Sequence, residues 1–273
     1  MTDSVADSVS AYLGYWQAAG VAAGVAEAGT DWFALQKRSA TAAIAAPPAA
    51  RAVNTVREPA PAKPAPRATA PAAPPPISPA ALAHVAKASS LDELLALLSV
   101  FEGCGLKATA KNLCFYRGAP QARLMLIGEA PGRDEDLEGK PFVGRAGQLL
   151  DKMLAAIGID EIKVHIANTV YWRPPGNRTP SPEETISCAP FLNRQIELVA
   201  PDVVVLLGGV AAKSVLGLTE GIIKLRGKWR GLAIGGREVK ALATLHPAYL
   251  LRTPAAKRQA WQDLLLIEQA LAG

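Results

Sequence analysis

The chain has 273 residues, a formal net charge of +5 and a pI near 9.2. It contains no run of about 18 uncharged apolar residues, and its first residues lack the basic start and apolar core of a secretory signal, so we expect a cytoplasmic protein with no membrane segment. Its three widely spaced cysteines argue against a disulfide framework. The basic balance favours a polyanionic partner.

The N-terminal third predicts an appendage in two parts. In residues 1–40, Val9, Leu13 and Trp16 recur at helical intervals, which predicts a short amphipathic helix. Residues 41–79 hold eleven of the 22 prolines among alanines and predict a flexible, extended linker. A helix on such a tether is typical of a segment that recruits a protein partner.

Residues 80–273 are predicted to form the catalytic domain, which we expect to be a monomer. A capping-box pattern at Ser90 precedes a leucine-rich run and predicts the helix that opens this domain. Apolar runs then alternate with helical patterns, and four of them are predicted strands: 124–127, 164–168, 203–207 and 240–245. Continuous apolar strands separated by helices indicate a three-layer α/β/α sandwich around a mainly parallel, four-stranded sheet.

Three polar segments follow the carboxyl ends of the predicted strands, where ligands bind in sheets of this kind. They are the stretch GEAPGRDED from Gly128, the single residue Asn168, and the stretch HPAYLLR from His246. The first is neither GxGxxG nor a P-loop, which disfavours a nucleotide cofactor. Taken singly, each segment is also compatible with an ordinary turn or helix cap.

Together these motifs closely resemble the uracil-DNA glycosylase superfamily, and in particular its family-four branch, the iron-sulfur type. The resemblance runs from about Phe101 to the C-terminus. It includes the stretch PFVG after the first motif, the turn RPPGNR from Arg173, and the stretch RGKW from Arg226. Several motifs in the family's order and spacing are much more specific than one pentapeptide.

The resemblance implies a base-excision site. Breaking the bond between deoxyribose and uracil places positive charge on the sugar and negative charge on the base, so both need electrostatic stabilisation. Glu129 and Glu135 would activate water and favour the cationic sugar, and His246 would donate to the departing base. The sequence leaves the protonation state of His246 open.

The resemblance also implies a base-recognition pocket. The Asn168 carboxamide offers an acceptor and a donor that match N3–H and O4 of uracil, whereas cytosine presents the opposite polarity. Phe142 would stack on the base, the bulk of Glu135 would disfavour the methyl group of thymine, and Ala130 and Gly132 would belong to the substrate-binding wall.

Base removal from a duplex requires that the base be flipped out and the gap filled. Leu250 is the predicted wedge with Leu251 as its neighbour, although a Leu-Leu pair also begins many helices and a core role stays open. Arg252, Arg226 and Lys228 are predicted DNA contacts. The matched pattern provides no Schiff-base lysine, which predicts base removal without strand cleavage.

The sequence departs from the family-four pattern at the four-iron cluster. Where the family places four cysteine ligands, this chain has Phe101, Cys104, Trp172 and Cys188. Two thiolates do not make the usual cage, and two aromatic rings suit an apolar filling. No cofactor is therefore predicted, and a four-iron cluster stays open as the disfavoured alternative.

The resulting hypothesis is a monofunctional uracil-DNA glycosylase that starts base excision repair. Two alternatives stay open at this stage. One is a DNA-binding or replication-associated module that kept the fold and lost turnover. The other is a glycosylase for another deaminated base, such as hypoxanthine.

Overall fold

The computed structural model describes residues 79–272. The predicted N-terminal helix and all of the predicted linker except Pro79 lie outside them. None of the helices between Pro79 and Ala272 is long and apolar enough to cross a bilayer. Those helices are α1 (Pro79–Lys87), α2 (Leu91–Ser99), α3 (Arg133–Glu138), α4 (Arg145–Ala155), α5 (Pro182–Val199), α6 (Gly209–Leu216), α7 (Ile222–Leu225), α8 (Pro247–Arg252) and α9 (Lys257–Ala272).

The described strands form one sheet with the order β1-β3-β2-β4-β6-β5. They are β1 (Arg117–Gly118), β2 (Leu124–Gly128), β3 (Val164–Asn168), β4 (Val203–Leu207), β5 (Trp229–Ile234) and β6 (Arg237–Thr244). The four central strands, β3, β2, β4 and β6, run parallel, as predicted. The predicted strand number was wrong, because short antiparallel strands, β1 and β5, add one edge each.

Helices cover both faces of the sheet, as the apolar strands predict. One face packs against α4, α8 and α9, and the other packs against α5 and α6. Every residue of β2, β3 and β4 is buried. Fully burying a leucine, isoleucine or valine side chain contributes about 1.5–3 kcal/mol, so the central strands hold much of the stability.

A third group of apolar side chains lies on the far side of α5, where α1 and α2 pack. We call it the apolar cluster. Its buried members are Val85, Ala88, Leu94, Leu98, Cys104, Leu106, Phe115, Val170, Tyr171, Trp172, Cys188 and Phe191.

The first two described helices agree with the sequence prediction at the Ser90 cap and differ from it at the start of the domain. Ser90 caps α2 as predicted, because its hydroxyl accepts the N–H of Glu93 at 3.1 Å. However, α2 does not open the fold, since α1 precedes it. The guanidinium of Arg194 on α5 donates to the carbonyl of Ala88 at 2.6 and 2.8 Å and ties the end of α1 to the domain.

Candidate active site

The loop after β2 is held by one carboxylate. Oε2 of Glu135, in the first turn of α3, accepts the N–H of Gly132 at 3.1 Å. Its Oε1 accepts the N–H of Gly144, in the following loop, at 2.9 Å. Glu135 therefore fixes the first motif against the loop that carries Phe142. Charge-assisted bonds of this kind are roughly twice as strong as neutral ones.

Phe142 occupies a backbone conformation that is costly for a residue with a side chain. Its φ is +57°, in the left-handed region, which costs about 1–3 kcal/mol. Gly147 permits this path, because a Cβ there would lie 1.6 Å from the carbonyl oxygen of Phe142. The Phe142 ring lies against His246, with centroids 5.6 Å apart and planes 29° apart. The strained backbone thus presents an aromatic face beside an imidazole.

Asn168 ends β3 opposite Gly128 of β2 and is only 1% exposed. Its Oδ1 is buried and has no hydrogen-bond partner in the part of the chain that the structure describes. A Cβ at Gly128 would lie 2.5 Å from this oxygen and 2.4 Å from Cζ of Phe142, so only glycine lets both groups approach. A buried acceptor without a partner costs about 1–3 kcal/mol, which marks this atom as one that awaits a donor.

His246 begins α8 as its N-cap. Its Nδ1 accepts the N–H of Ala248 at 3.1 Å. Burial lowers the pKa of His246 to about 4, and the positive charge of Arg252 adds to this effect. The ring is therefore neutral at pH 7, and because Nδ1 is an acceptor, the proton resides on Nε2. A neutral imidazole is one of the two protonation states that the sequence left open.

The motifs meet around a cavity of about 410 Å³. Its wall includes eight of the predicted site residues: Glu129, Ala130, Gly132, Glu135, Phe142, Asn168, His246 and Arg252. Two larger clefts, of about 680 and 660 Å³, lie at the edge strands and contain none of the eight. Volume alone would select another cleft, whereas the residues of the predicted motifs converge on this smaller cavity.

Three further polar residues line the cavity without having been predicted to do so: Asn177, Arg178 and Tyr249. Asn177 and Arg178 belong to the turn RPPGNR, and Tyr249 lies within HPAYLLR. The motifs themselves were therefore the available signal. The Arg178 guanidinium bonds to both carboxylate oxygens of Glu184, at 2.6 and 2.8 Å, which fixes the turn to the start of α5.

The leucine pair divides between core and surface. Leu250 is 0% exposed and packs in the core beneath α8. The prediction that Leu250 is the wedge was therefore wrong, since a buried core side chain cannot reach DNA. Leu251 is 37% exposed and projects from the same helix. Arg252 is exposed at the cavity rim, and Lys228 is exposed.

Arg226, another predicted DNA contact, forms an internal ion pair. Its Nη2 lies 2.7 Å from Oδ1 of Asp263 on α9, and its side chain is only 15% exposed. Burial raises the pKa of Asp263, while the hydroxyl of Thr244 donates to the same carboxylate at 2.6 Å. The Thr244–Asp263 hydrogen bond ties the end of β6, two residues before His246, to α9. A DNA role for Arg226 stays a prediction.

The four positions at which the resemblance implies cluster ligands lie in and around the apolar cluster. Cys104 and Cys188 are buried members of this cluster, with relative exposures of 2% and 0%. Trp172 is 3% exposed, and the Phe101 ring packs on Phe191 with centroids 4.9 Å apart. Two thiols and two packed aromatic rings do not fit a four-thiolate iron-sulfur cage. The space is filled by apolar packing.

The chain is similar to several known proteins. Residues 115–265 match the sequence profile of the uracil DNA glycosylase superfamily. The type-4 uracil-DNA glycosylase of Archaeoglobus fulgidus is 40% identical over 178 residues, which cover 64% of this chain and 89% of that protein. The type-4 enzyme of Thermotoga maritima is 44% identical over 55% of this chain and 77% of its own length, and that of Pyrobaculum aerophilum is 38% identical over 64% and 92%.

Proposed function

Because the chain belongs to the uracil DNA glycosylase superfamily and is similar to its type-4 members, we propose that it removes uracil from DNA by hydrolysing the N-glycosidic bond. The observation that carries this proposal is the buried, unpartnered Oδ1 of Asn168 at the wall of a cavity that also contains Phe142 and His246. It is an acceptor placed where an extruded base would offer a donor.

Recognition depends on the polarity of one amide. Oδ1 of Asn168 accepts the N3–H of uracil, and Nδ2 donates to O4, which satisfies both atoms. Cytosine has an acceptor at N3 and a donor at its amino group, so it would leave the same buried amide mismatched. Phe142 stacks on the base. Glu135, fixed by two backbone amides, keeps its bulk at the wall and disfavours the methyl group of thymine.

Neutral His246 stabilises the departing base. As the bond between C1′ and N1 breaks, its electron pair moves into the uracil ring and onto O2. The Nε2–H of His246 donates to that oxygen, because the Ala248 amide holds the tautomer. A neutral donor keeps its proton, so the base departs as a hydrogen-bonded anion.

Water activation falls to Glu129. Its carboxylate lines the cavity, whereas both oxygens of Glu135 already accept backbone amides. Water attacks C1′ from the face opposite the departing base and transfers its proton to Glu129. The negative charges of Glu129 and Glu135 stabilise the cationic sugar. The net reaction consumes one water molecule, releases one uracil and leaves one abasic sugar in the strand.

The base reaches this cavity by flipping out of the duplex. Leu251 is exposed and fills the gap, in place of the buried Leu250. Arg252 at the rim and the exposed Lys228 contact the phosphates of the strand. Arg226 supports this surface indirectly through its pair with Asp263.

The proposed enzyme works without an iron-sulfur cluster. Its support is the ligand set, in which Phe101 and Trp172 replace two of four thiols and pack against apolar neighbours. The aromatic packing takes over the stabilising role of the metal. Measuring iron and sulfide in protein purified without oxygen tests this, and a stoichiometric content of both would contradict it.

The N-terminal segment completes the proposal. We assign residues 1–40 to a protein partner and residues 41–79 to the tether, in a cytoplasmic, monomeric enzyme, on the support of their composition. Deleting residues 1–77 should leave oligonucleotide turnover nearly intact. Loss of folding on that deletion would overturn the proposed domain boundary.

A labelled oligonucleotide with one uracil tests the activity. Multiple turnover should yield abasic product that breaks only after alkali, while matched thymine and cytosine strands stay intact. No product at stoichiometric enzyme would favour a DNA-binding module without turnover. A hypoxanthine strand cut faster than the uracil strand would assign another deaminated base, and breakage before alkali would contradict hydrolysis without strand cleavage.

A further inference from the structure

A buried carboxylate behind the active site joins two segments of the chain. Asp263 on α9 is 1% exposed, and its Oδ2 accepts the hydroxyl of Thr244 at 2.6 Å. The guanidinium of Arg226 donates to both oxygens of the same carboxylate, at 2.7 and 3.1 Å. Asp263 therefore bonds the last residue of β6 and the segment that precedes β5. Asp263 and Thr244 do not line the cavity of about 410 Å³, so neither has a direct part in the mechanism.

Thr244 is also fixed through its backbone, beside the histidine of the active site. Its carbonyl accepts the N–H of Gly208 at 2.8 Å. The φ of Gly208 is +94°, and a Cβ there would lie 3.1 Å from Cβ of His246 and 3.6 Å from its ring carbon Cδ2. The backbone of Gly208 therefore packs against His246. Thr244, two residues before His246, bonds both to this backbone and to α9.

The imidazole of His246 needs support from the strand that leads to it. Its Nδ1 accepts the N–H of Ala248 at 3.1 Å, and its ring lies 5.6 Å from that of Phe142. Both partners lie outside β6, the strand from which His246 emerges. A group that stabilises a transition state must be held within about 0.5 Å of its productive position by supporting hydrogen bonds. An anchor at the end of β6 would supply such support.

We infer that Asp263 is a positioning residue for His246 and acts through the hydroxyl of Thr244. The inference rests on the proposed function, in which the Nε2–H of His246 donates to O2 of the departing base. With the hydroxyl bond made, β6 ends at a fixed point on α9, and His246 begins α8 beside Gly208. Without that bond the end of β6 can shift, and the Nε2–H moves away from the oxygen on which negative charge develops. Arg226 still pairs with the carboxylate, so loss of the hydroxyl alone leaves no unpaired buried charge.

Two substitutions separate the hydroxyl of Thr244 from the volume of its side chain. Thr244→Val keeps the shape and removes the donor, whereas Thr244→Ser keeps the donor in a smaller side chain. Single-turnover excision from an oligonucleotide with one uracil should fall about tenfold in Thr244→Val, less than the roughly hundredfold that a 1 Å misplacement can cost. Thr244→Ser should stay near the parent's rate. In a His246→Ala background, Thr244→Val should have almost no further effect, and an equal fall in both backgrounds would overturn the inference.

The identity of the leaving group gives a readout that a loss of stability would not change. Fluorine at C5 withdraws electrons and stabilises the departing base as an anion, so 5-fluorouracil in the same oligonucleotide needs less help from His246. Thr244→Val should therefore lose less activity on 5-fluorouracil than on uracil. Equal losses on the two bases would contradict the inference. Tyr171→Phe is the matched control, because it also removes one buried hydroxyl bond, to Gln195 at 2.9 Å, and should leave the preference between the two bases unchanged.

The nitrogen NMR spectrum of the histidines tests the inference without turnover. The chain has three histidines, so His246→Ala identifies the imidazole signals of His246. In Thr244→Val these signals should move from those of an Nε2–H tautomer toward an average of the two tautomers, with recovery in Thr244→Ser. Asp263→Asn should move the same signals. Unchanged His246 signals in Thr244→Val would refute the positioning role. If the parent excised neither base, the proposed function would fail, and the spectrum would still decide whether Asp263 positions His246.

Discussion

The wall of the 410 Å³ cavity and the apolar cluster include residues that are close in sequence, yet the two regions differ in chemical character. Asn168 ends β3 with a buried oxygen that has no partner within the described residues. Three residues later, Tyr171 is equally buried, but its hydroxyl donates to Gln195 at 2.9 Å. Near Asn168 the backbone of Phe142 is strained, whereas the cluster contains ordinary aromatic packing.

The difference distinguishes residues whose environment suits ligand binding from residues that stabilise the fold. An unpartnered buried atom and a left-handed phenylalanine both cost free energy, and a donor on a ligand can offset the first of these costs. Satisfied and tightly packed groups contribute stability with no ligand. Substitutions at the wall should therefore change activity at nearly constant stability, and substitutions in the cluster should do the reverse.

The largest expected effect is a loss of stability in the cluster. Phe191→Ala removes a ring that is 2% exposed and packs on Phe101, so the free energy of unfolding should fall by about 3–5 kcal/mol. Excision at a temperature where the variant is folded should stay within a few fold of the parent. Urea unfolding and turnover measured on one preparation check both. A variant that folds but no longer excises uracil would show that the apolar cluster and the cavity wall do not have separate roles.

The converse expectation applies to Asn168→Ala. Excision of uracil should fall by about 10²–10³-fold, since transition-state hydrogen bonds of this kind are worth about that much. Stability should hold or rise slightly, because the substitution removes an unpartnered buried oxygen. Single-turnover rates measure excision, and thermal unfolding measures stability. A marked drop in melting temperature would contradict a purely functional role.

A smaller effect should appear in the pH dependence of stability. His165, behind Asn168 on β3, is 0% exposed, and burial lowers its pKa to about 4. The unfolded chain binds a proton near pH 6.5, so this histidine contributes stability above that pH that is lost as pH falls toward 4. The loss should be about 2–3 kcal/mol by pH 4.5.

His165→Gln tests that expectation, since glutamine cannot titrate. Urea unfolding near pH 7.5 and near pH 4.5 should show a shallower pH dependence for the variant than for the parent. An unchanged slope would mean that His165 is not the group responsible. The pH profile of excision should be the same in His165→Gln as in the parent, because His165 does not line the cavity.

The smallest effect concerns the leucine pair. Leu251→Ala should reduce excision from duplex DNA by about tenfold, the worth of roughly 1.4 kcal/mol, and leave single-stranded substrate almost unaffected. Leu250→Ala is the matched control, which should instead lose about 2–5 kcal/mol of stability as a core truncation. Equal loss on both substrates for Leu251→Ala would argue against a wedge.

The central sheet was predictable because its strands are continuous apolar runs. The predicted bounds of β3 and β4 match the structure. The edges were not predictable in the same way. β1 has only two residues, and β5 includes Gly231 and exposed positions that weaken an alternating pattern. α1 was assigned in part to the linker, because its first residues continue the alanine and proline composition before it.

Side-chain roles that depend on distant partners were beyond the sequence. Whether Leu250 or Leu251 faces the core depends on how α8 packs, which adjacent identical residues cannot reveal. The partner of Arg226 is Asp263 on the last helix. The residues that meet in the cavity were predictable, because parallel strands bring their carboxyl ends together and the family motifs follow those ends.

The most direct test of the central claim is the selectivity of Asn168→Asp, measured as the ratio of uracil to cytosine excision on matched oligonucleotides. A carboxylate offers acceptors only, so it loses the donor to O4 of uracil while accepting from the amino group of cytosine. The ratio should fall about tenfold to a hundredfold below the parent's, the equivalent of about 1–3 kcal/mol. A ratio equal to the parent's would contradict this prediction.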